Sequence, residues 1–308
     1  MRILHLHLHL SFTMTIYNLL NENQKLKRHE AELLIAHVLK RDRLWVLTHP
    51  EYTLPPKLLQ PIIRSLKKLS GNMPLAQIIG LKRFYDVDFV VNKYVLIPRQ
   101  ESEELVDLVA AEIGPKREGL KIADIGTGSG CIALILAKKF PKQRFFLTDK
   151  SKRALNIARQ NTDRIGLHVK ILFGDLLLPL RTSLPDIIIA NLPYLGAKIY
   201  QAAPVSVRKF EPKQALYGGK DGLDIYRKLF RQIKKYYKNR KYPSIWLEIS
   251  PEQEQILKKE KQSLHSPFGI YPEQRRRILH SSFSFYKDLS GRFRFVHITF
   301  SSSLGNKG

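Results

Sequence analysis

An α/β fold, with a doubly wound, mostly parallel sheet of seven strands, is predicted by three features of the chain. From Lys121 onward, short aliphatic runs alternate with amphipathic stretches, the pattern of repeated strand–helix units. Glycines crowd the turn after the first of those strands, at Gly126, Gly128 and Gly130. Near the end, Phe283–Leu289 and Arg292–Phe300 flank Ser290-Gly291 and read as an antiparallel hairpin at the sheet edge.

Ahead of the sheet, residues 14–72 read as a small helical domain. Apolar residues recur at three- and four-residue spacing through Ala31–Leu39, Pro50, Pro55 and Pro56 interrupt the pattern, and Lys57–Leu69 resumes it. His37 lies in that apolar helix and reads as a packed or surface histidine. Residues 73–93 change character and read as a linking β-hairpin. Ala76–Gly80 and Arg83–Val91 are expected to be its two strands. The remainder, 94–308, is the sheet domain. It opens with Glu101–Val109, an amphipathic helix with acids in its first turn, where the macrodipole favours them.

The sheet domain then alternates. Ile122–Ile125, Arg144–Thr148, Val169–Phe173, Asp186–Ala190 and Ser244–Ile249 are the expected parallel strands. Gly128–Lys139, Lys152–Asp163 and Asp221–Lys238 are the expected helices. Residues 1–13 fit neither domain. The Leu/His alternation from Leu4 to Leu10 lacks a secretory core and cleavage site, and no carboxylate or cysteine joins its histidines to make a metal site. These residues read as a non-native or disordered extension, with the natural start at Met14.

The chain has 52 Lys+Arg against 27 Asp+Glu, a net charge of +25. That balance favours a polyanionic neighbourhood such as nucleic acid or ribonucleoprotein. A general lysine bias explains it equally well, because the basic residues are spread throughout. Tyr226–Lys241 is basic with interleaved aromatics and suits a weak RNA or ribosome contact, although a solvated helix face gives the same pattern. Cys131 is the sole cysteine, which excludes an internal disulfide and fits a cytoplasmic setting. No apolar run reaches the ~20 residues of a membrane span. A monomer is expected.

The chemistry is concentrated at strand ends, where open α/β sheets bind ligands. Gly126-Thr127-Gly128-Ser129-Gly130 follows the first strand, and its alternate glycines are spaced too tightly for a dinucleotide fingerprint. No phosphate-binding lysine follows them. Asp149 ends the second strand, where a carboxylate can accept both hydroxyls of a ribose. Asp175 ends the third, where it can accept from an adenine amino group while Leu176 covers the ring. Alone, each acid is an ordinary strand-end or capping residue; together they outline a nucleoside site. Asn191-Leu192-Pro193-Tyr194 follows the fourth strand. An amide, a proline-stiffened backbone and an aromatic face suit a planar NH2-bearing group.

These residues resemble class I S-adenosylmethionine-dependent methyltransferases, whose fold is Rossmann-like, and more closely the HemK/PrmC family of protein-glutamine methyltransferases. The resemblance runs from about Met14 to the C-terminus. It includes the Ala31 helix, Pro74–Gly80, Leu96–Glu103, the glycine loop, Asp149, Asn191–Tyr194, Glu211-Pro212 with Ala215-Leu216, Gly218–Leu223 and Asp288–Arg292. It implies S-adenosyl-L-methionine as cofactor, S-adenosyl-L-homocysteine as product, and no metal. The implied partners are class-I peptide chain release factors, methylated on the side-chain amide nitrogen of the glutamine in their Gly-Gly-Gln motif, which tunes translation termination. The implied cofactor-binding residues are Gly126, Thr127, Gly128, Ser129, Gly130, Asp149, Asp175, Leu176 and Asn191. Asn191, Leu192, Pro193 and Tyr194 carry substrate binding and catalysis.

Two positions depart from the family pattern. Leu192 stands where the first proline of Asn-Pro-Pro-Tyr is usual, and Gln100 replaces a proline before Glu101. The contact expected at position 192 is a backbone carbonyl, which leucine retains, so activity is expected to survive. The competing readings are a ribosomal-protein glutamine methyltransferase, a nucleic-acid adenine amino-methyltransferase and a non-catalytic binding protein of the same fold.

Overall fold

A computed structural model describes residues 14–115, 117–238, 240–262 and 278–303. The extension expected at residues 1–13 lies outside them. The chain divides into two compact units, the first ending at Gly80 and the second beginning at Leu81.

The first unit is helical: α1 (Ile16–Glu22), α2 (Arg28–Leu39), α3 (Arg43–Thr48), α4 (Pro56–Ser70) and α5 (Leu75–Ile79). Side-chain caps start two of them. Thr15 accepts from the Asn18 amide at 3.2 Å, and Asp42 from that of Trp45 at 2.6 Å. Pro56 opens α4 at a position where its missing N–H costs nothing. Ile16, Leu34, Ile35, Val46, Ile62 and Leu66 are buried together in its core. Glu32 is buried there too, and Arg28 and Arg43 neutralise it at 3.0 and 2.9 Å.

The strand expected at Ala76–Gly80 is instead the short helix α5. The Pro74 carbonyl accepts from the Gln77 and Ile78 amides, and Gly80, at φ 80°, closes the helix through its N–H to Ala76 O. The strand expected at Arg83–Val91 is folded back on itself. β1 (Leu81–Phe84) and β2 (Val87–Val90) pair antiparallel across Tyr85-Asp86. The linking hairpin thus occupies Leu81–Val90 rather than 73–93. Tyr85 takes φ 53° with no glycine to ease it. Its N–H and hydroxyl are held by Glu103 at 2.7 and 2.8 Å, and the hydroxyl also reaches Asp107 at 2.6 Å.

The rest of the second unit follows the α/β order. It runs α6 (Glu101–Ile113), β3 (Lys121–Ile125), α7 (Cys131–Lys139), β4 (Arg144–Asp149), α8 (Lys152–Ile165), β5 (Lys170–Phe173) and β6 (Ile187–Ala190). It continues with α9 (Ala197–Ala202), α10 (Val205–Phe210), α11 (Asp224–Tyr237), β7 (Ser244–Glu248), α12 (Gln253–Gln262), β8 (Ile278–Lys287) and β9 (Phe293–Ser303). The seven strands of the large sheet lie in the order β5-β4-β3-β6-β7-β9-β8. The first five are parallel, and β9 runs antiparallel between β7 and the edge strand β8.

Period-two alternation sends the strand residues to two cores. Ala123, Ile125, Ile188, Ala190, Ile245 and Leu247 pack with α11 on one face; Ile122, Ile187, Ile189 and Trp246 pack with α6 and α7 on the other. Chain order reverses at β3, which has β4 on one side and β6 on the other. Ligands of such sheets bind at that switch point, beyond the carboxyl ends of the strands.

Candidate active site

The glycine loop leaves the end of β3 and the tetrapeptide leaves the end of β6, so the switch point brings them together. Gly126–Ser129 and Asn191–Pro193 line one cleft, with Asp149, Asp175 and Leu176 from the ends of β4 and β5, whereas Gly130 packs against Leu134 and Leu147 and Tyr194 lies behind the lining. The amides of Gly126 and Thr127 both donate to Thr148 O, at 2.8 and 2.9 Å, which ties the loop to β4. Gly126 and Gly128 have φ 75° and 57°. A Cβ on Gly128 would meet nothing within 4 Å, so the loop is open there.

The Asp149 carboxylate is fixed by two backbone donors, Gly128 N to Oδ2 at 3.1 Å and Ser151 N to Oδ1 at 2.8 Å. Each oxygen retains a lone pair, which suits a pair of vicinal hydroxyls. Asp124 is buried on the cleft wall and accepts from Thr127 Oγ1 at 2.7 Å. Burial, reinforced by the charge of Asp149, pushes its carboxyl up to about 7. Asp175 is less free than its sequence position suggests. Its Oδ2 pairs with Lys228 Nζ at 2.8 Å and accepts from Gln232 Nε2 at 3.3 Å, both from α11. Leu176 is buried at φ 53°.

Beyond the end of β6, Asn191 Nδ2 donates to Glu248 Oε2 at 2.8 Å and to Ser102 Oγ at 3.1 Å. Its Oδ1 is buried and has no hydrogen-bond partner. Tyr194 donates its hydroxyl to Glu248 Oε1 at 3.0 Å. Burial and the Glu248 charge raise the Tyr194 hydroxyl well above the ordinary phenol range, so it stays a donor. The Leu192 amide donates to the Tyr226 hydroxyl at 3.2 Å, and that hydroxyl donates on to Glu248 O. Among the described residues no donor reaches the Leu192 carbonyl. The Leu192 side chain is buried and covers Gly126. A Cβ on that glycine would stand 2.6 Å from Leu192 Cδ2.

A second glycine-rich loop holds the tetrapeptide from outside. Leu195 N donates to Leu216 O, Gly218 N to Leu195 O, and Ala197 N to Lys220 O. Side chains at Gly218 and Gly222 would collide with the carbonyls of Pro193 and Tyr194. Gln253 closes the arrangement, its Nε2 donating to Tyr194 O at 2.9 Å and Asp221 O at 3.0 Å.

Leu192→Ala keeps the carbonyl and removes the packing. It is expected to lower stability by about 2–5 kcal/mol and to leave the methyl transfer that the resemblance implies within severalfold. Thermal melting and a transfer assay on the same protein test this.

Four functional side chains escape a reading of the sequence. Glu248 ends an apolar strand, and only the pairing of β6 with β7 shows what it faces. Asn161 joins β2 to the glycine loop, donating to Ser129 O at 2.8 Å and exchanging hydrogen bonds with the Val90 backbone. Lys228 and Gln253 lie on helices with no local signal. Glu211 could have been found from Glu211-Pro212. It accepts from Ile97 N at 3.1 Å and pairs with Arg99 at 2.5 Å, which anchors the segment lining the cleft.

Residues 16–80 match the family described as PrmC N-terminal domain, and residues 103–205 the family described as Methyltransferase small domain. The release factor glutamine methyltransferase of Dictyoglomus turgidum is 40% identical over 230 residues, 72% of this chain and 78% of the relative. Those of Moorella thermoacetica and Koribacter versatilis are 40% and 36% identical, over 65% and 68% of this chain and 71% and 75% of the relatives. Among solved structures, the hMettl16 catalytic domain in complex with a MAT2A 3'UTR hairpin shares the fold with a TM-score of 0.53. It is 15% identical and covers 71% of this chain and 78% of that chain.

Proposed function

The chain belongs to the release factor glutamine methyltransferase family, and on that premise we propose that it methylates the side-chain amide nitrogen of the Gly-Gly-Gln glutamine in class-I release factors. One observation carries the reading beyond family membership. Asn191 lines the cleft, its NH2 group is taken up by Glu248 and Ser102, and its oxygen is left unpaired, which is the complement of an amide N–H.

The methyl donor is S-adenosyl-L-methionine, which when bound supplies an activated sulfonium methyl. The residues present fit it. Gly128 offers an unobstructed loop, Asp149 a preorganised carboxylate for the ribose, and Leu176 an apolar wall for the adenine. An amide nitrogen is a weak nucleophile because its lone pair is delocalised into the carbonyl. Asn191 Oδ1 and the Leu192 carbonyl each accept one N–H of the substrate amide. This favours a pyramidal nitrogen and aims its lone pair at the donor. Tyr194, tied to Glu248 through its hydroxyl and packed on the core, fixes the far end of the tetrapeptide. No strong base is required, because the amide proton becomes acidic once the nitrogen is alkylated.

Asp124 adds a pH dependence to donor binding. A carboxyl raised to about 7 favours its neutral form in the folded protein. The stability it contributes is fully present at acid pH and is lost as pH rises through about 7. A cationic donor prefers the ionised form, so its affinity is expected to fall by about tenfold from pH 8 to pH 6. Asp124→Asn flattens that profile in isothermal titration.

The direct test incubates the protein with radiolabelled S-adenosylmethionine and purified release factor, ribosomal proteins and RNA. Label on the Gly-Gly-Gln glutamine is expected. Label on a ribosomal protein or on RNA alone overturns the reading.

A further inference from the structure

We infer that Glu248 is a positioning residue for this reaction, holding the Asn191 amide by its NH2 end and so leaving its oxygen as the free acceptor. The inference rests on the proposed role of Asn191 toward the substrate amide.

A carboxamide has two orientations that are nearly equal in shape and opposite in hydrogen bonding. An ionised carboxylate accepts only, so it admits the NH2 end alone. Glu248 is 1% exposed, and three donors converge on it. Ser102 Oγ reaches Oε2 at 2.7 Å, Asn191 Nδ2 reaches Oε2 at 2.8 Å, and the Tyr194 hydroxyl reaches Oε1 at 3.0 Å. Ser102 gives its one proton to Glu248 and therefore turns a lone pair to Asn191 Nδ2, at 3.1 Å. Every donor is consistent with one orientation of Asn191, and the atom left without a partner is the oxygen.

Neither Glu248 nor Tyr194 lines the cleft, so Glu248 acts through Asn191. Burial raises its carboxyl above the ordinary range. The charged and titratable groups facing it are Tyr194 after β6, Glu101 on α6, Cys131 on α7, Tyr226 on α11 and Arg294 on β9. Protonated Glu248 becomes a donor toward Asn191 and removes the bias between the two orientations.

The test measures kcat and KM at saturating donor for the wild type, Glu248→Gln, Asn191→Ala and the double variant. Glu248→Gln is expected to lower kcat by at least about tenfold, as when the partner that orients a functional side chain is lost. The KM for S-adenosylmethionine should stay within about twofold. In the Asn191→Ala background the same change should cost less than about twofold, because the residue it positions is gone. The acid limb of the wild-type kcat profile should vanish in Glu248→Gln. A glutamine variant with wild-type kcat, or one whose full penalty persists without Asn191, overturns the inference while leaving the reading of function intact. Should Glu248→Gln fail to fold by circular dichroism, Ser102→Ala decides. Reduced kcat with unchanged donor KM supports the inference; unchanged kcat overturns it. A wild type that labels no release factor overturns the functional reading, and this inference with it.

Discussion

Asn191→Ala is expected to reduce methyl transfer by at least about 100-fold, the loss typical when one preorganised polar group facing the reacting centre is removed. Donor affinity, read by isothermal titration, is expected to stay within about twofold. The separation follows from the geometry. Under the proposed function Asp149 and Leu176 take the ribose and adenine, and Asn191, its NH2 end engaged by Glu248 and Ser102, offers only its oxygen to the methyl acceptor. The variant should also fold, because losing the amide frees Ser102 and Tyr194 to keep Glu248 satisfied. Unchanged transfer would sink the assignment. Loss of donor binding together with transfer would move Asn191 from the acceptor half to the donor half.

Gly222→Ala is expected to disable the same tetrapeptide through its backbone, without changing any side chain of Asn191–Tyr194. Gly222 sits at φ 81°, and a Cβ there would stand 2.0 Å from the Tyr194 carbonyl and 2.4 Å from Gln253 Nε2. The obstacle is main chain and cannot rotate away. The left-handed conformation and the overpacking each cost about 1–3 kcal/mol, so a destabilisation of about 2–6 kcal/mol is expected, with loss of transfer. Gly291→Ala is the control. Its φ is 80°, but nothing lies within 4 Å of the added carbon. It should cost only about 1–2 kcal/mol and leave transfer unchanged. Equal melting temperatures for the two variants would show that the loop does not clamp the tetrapeptide.

The parallel strands were legible because they are buried on both faces and read as near-continuous aliphatic runs, as at Ile187–Ala190. The donor and acceptor loops were legible because each follows such a run and carries glycines or an Asn-x-Pro-Tyr signature. What stayed hidden is tertiary in origin. Leu75–Ile79 is five residues of mostly apolar chain, too few for periodicity to separate helix from strand, and only the Pro74 and Gly80 ends settle it. The turn at Tyr85 has no glycine and depends on Glu103, eighteen residues away. Glu248 resembles any acid that ends a strand until β7 is set beside β6.

The side chain at position 192 carries more than its sequence suggests. The backbone argument leaves leucine equivalent to proline there. In the fold its side chain is the surface against which Gly126 lies, so donor and acceptor loops share one apolar contact.

The unpaired Asn191 oxygen has a consequence for fidelity. A buried acceptor without a partner costs about 1–3 kcal/mol, and an incoming carboxamide relieves that cost by presenting N–H groups. A glutamate in the same place presents acceptors and a negative charge to an acceptor backed by the Glu248 carboxylate. Under the proposed function, a release factor whose glutamine has deamidated is turned away at the binding step, before any chemistry. On that proposal the site tells intact from aged substrate by electrostatic exclusion and needs no separate step to reject the damaged form.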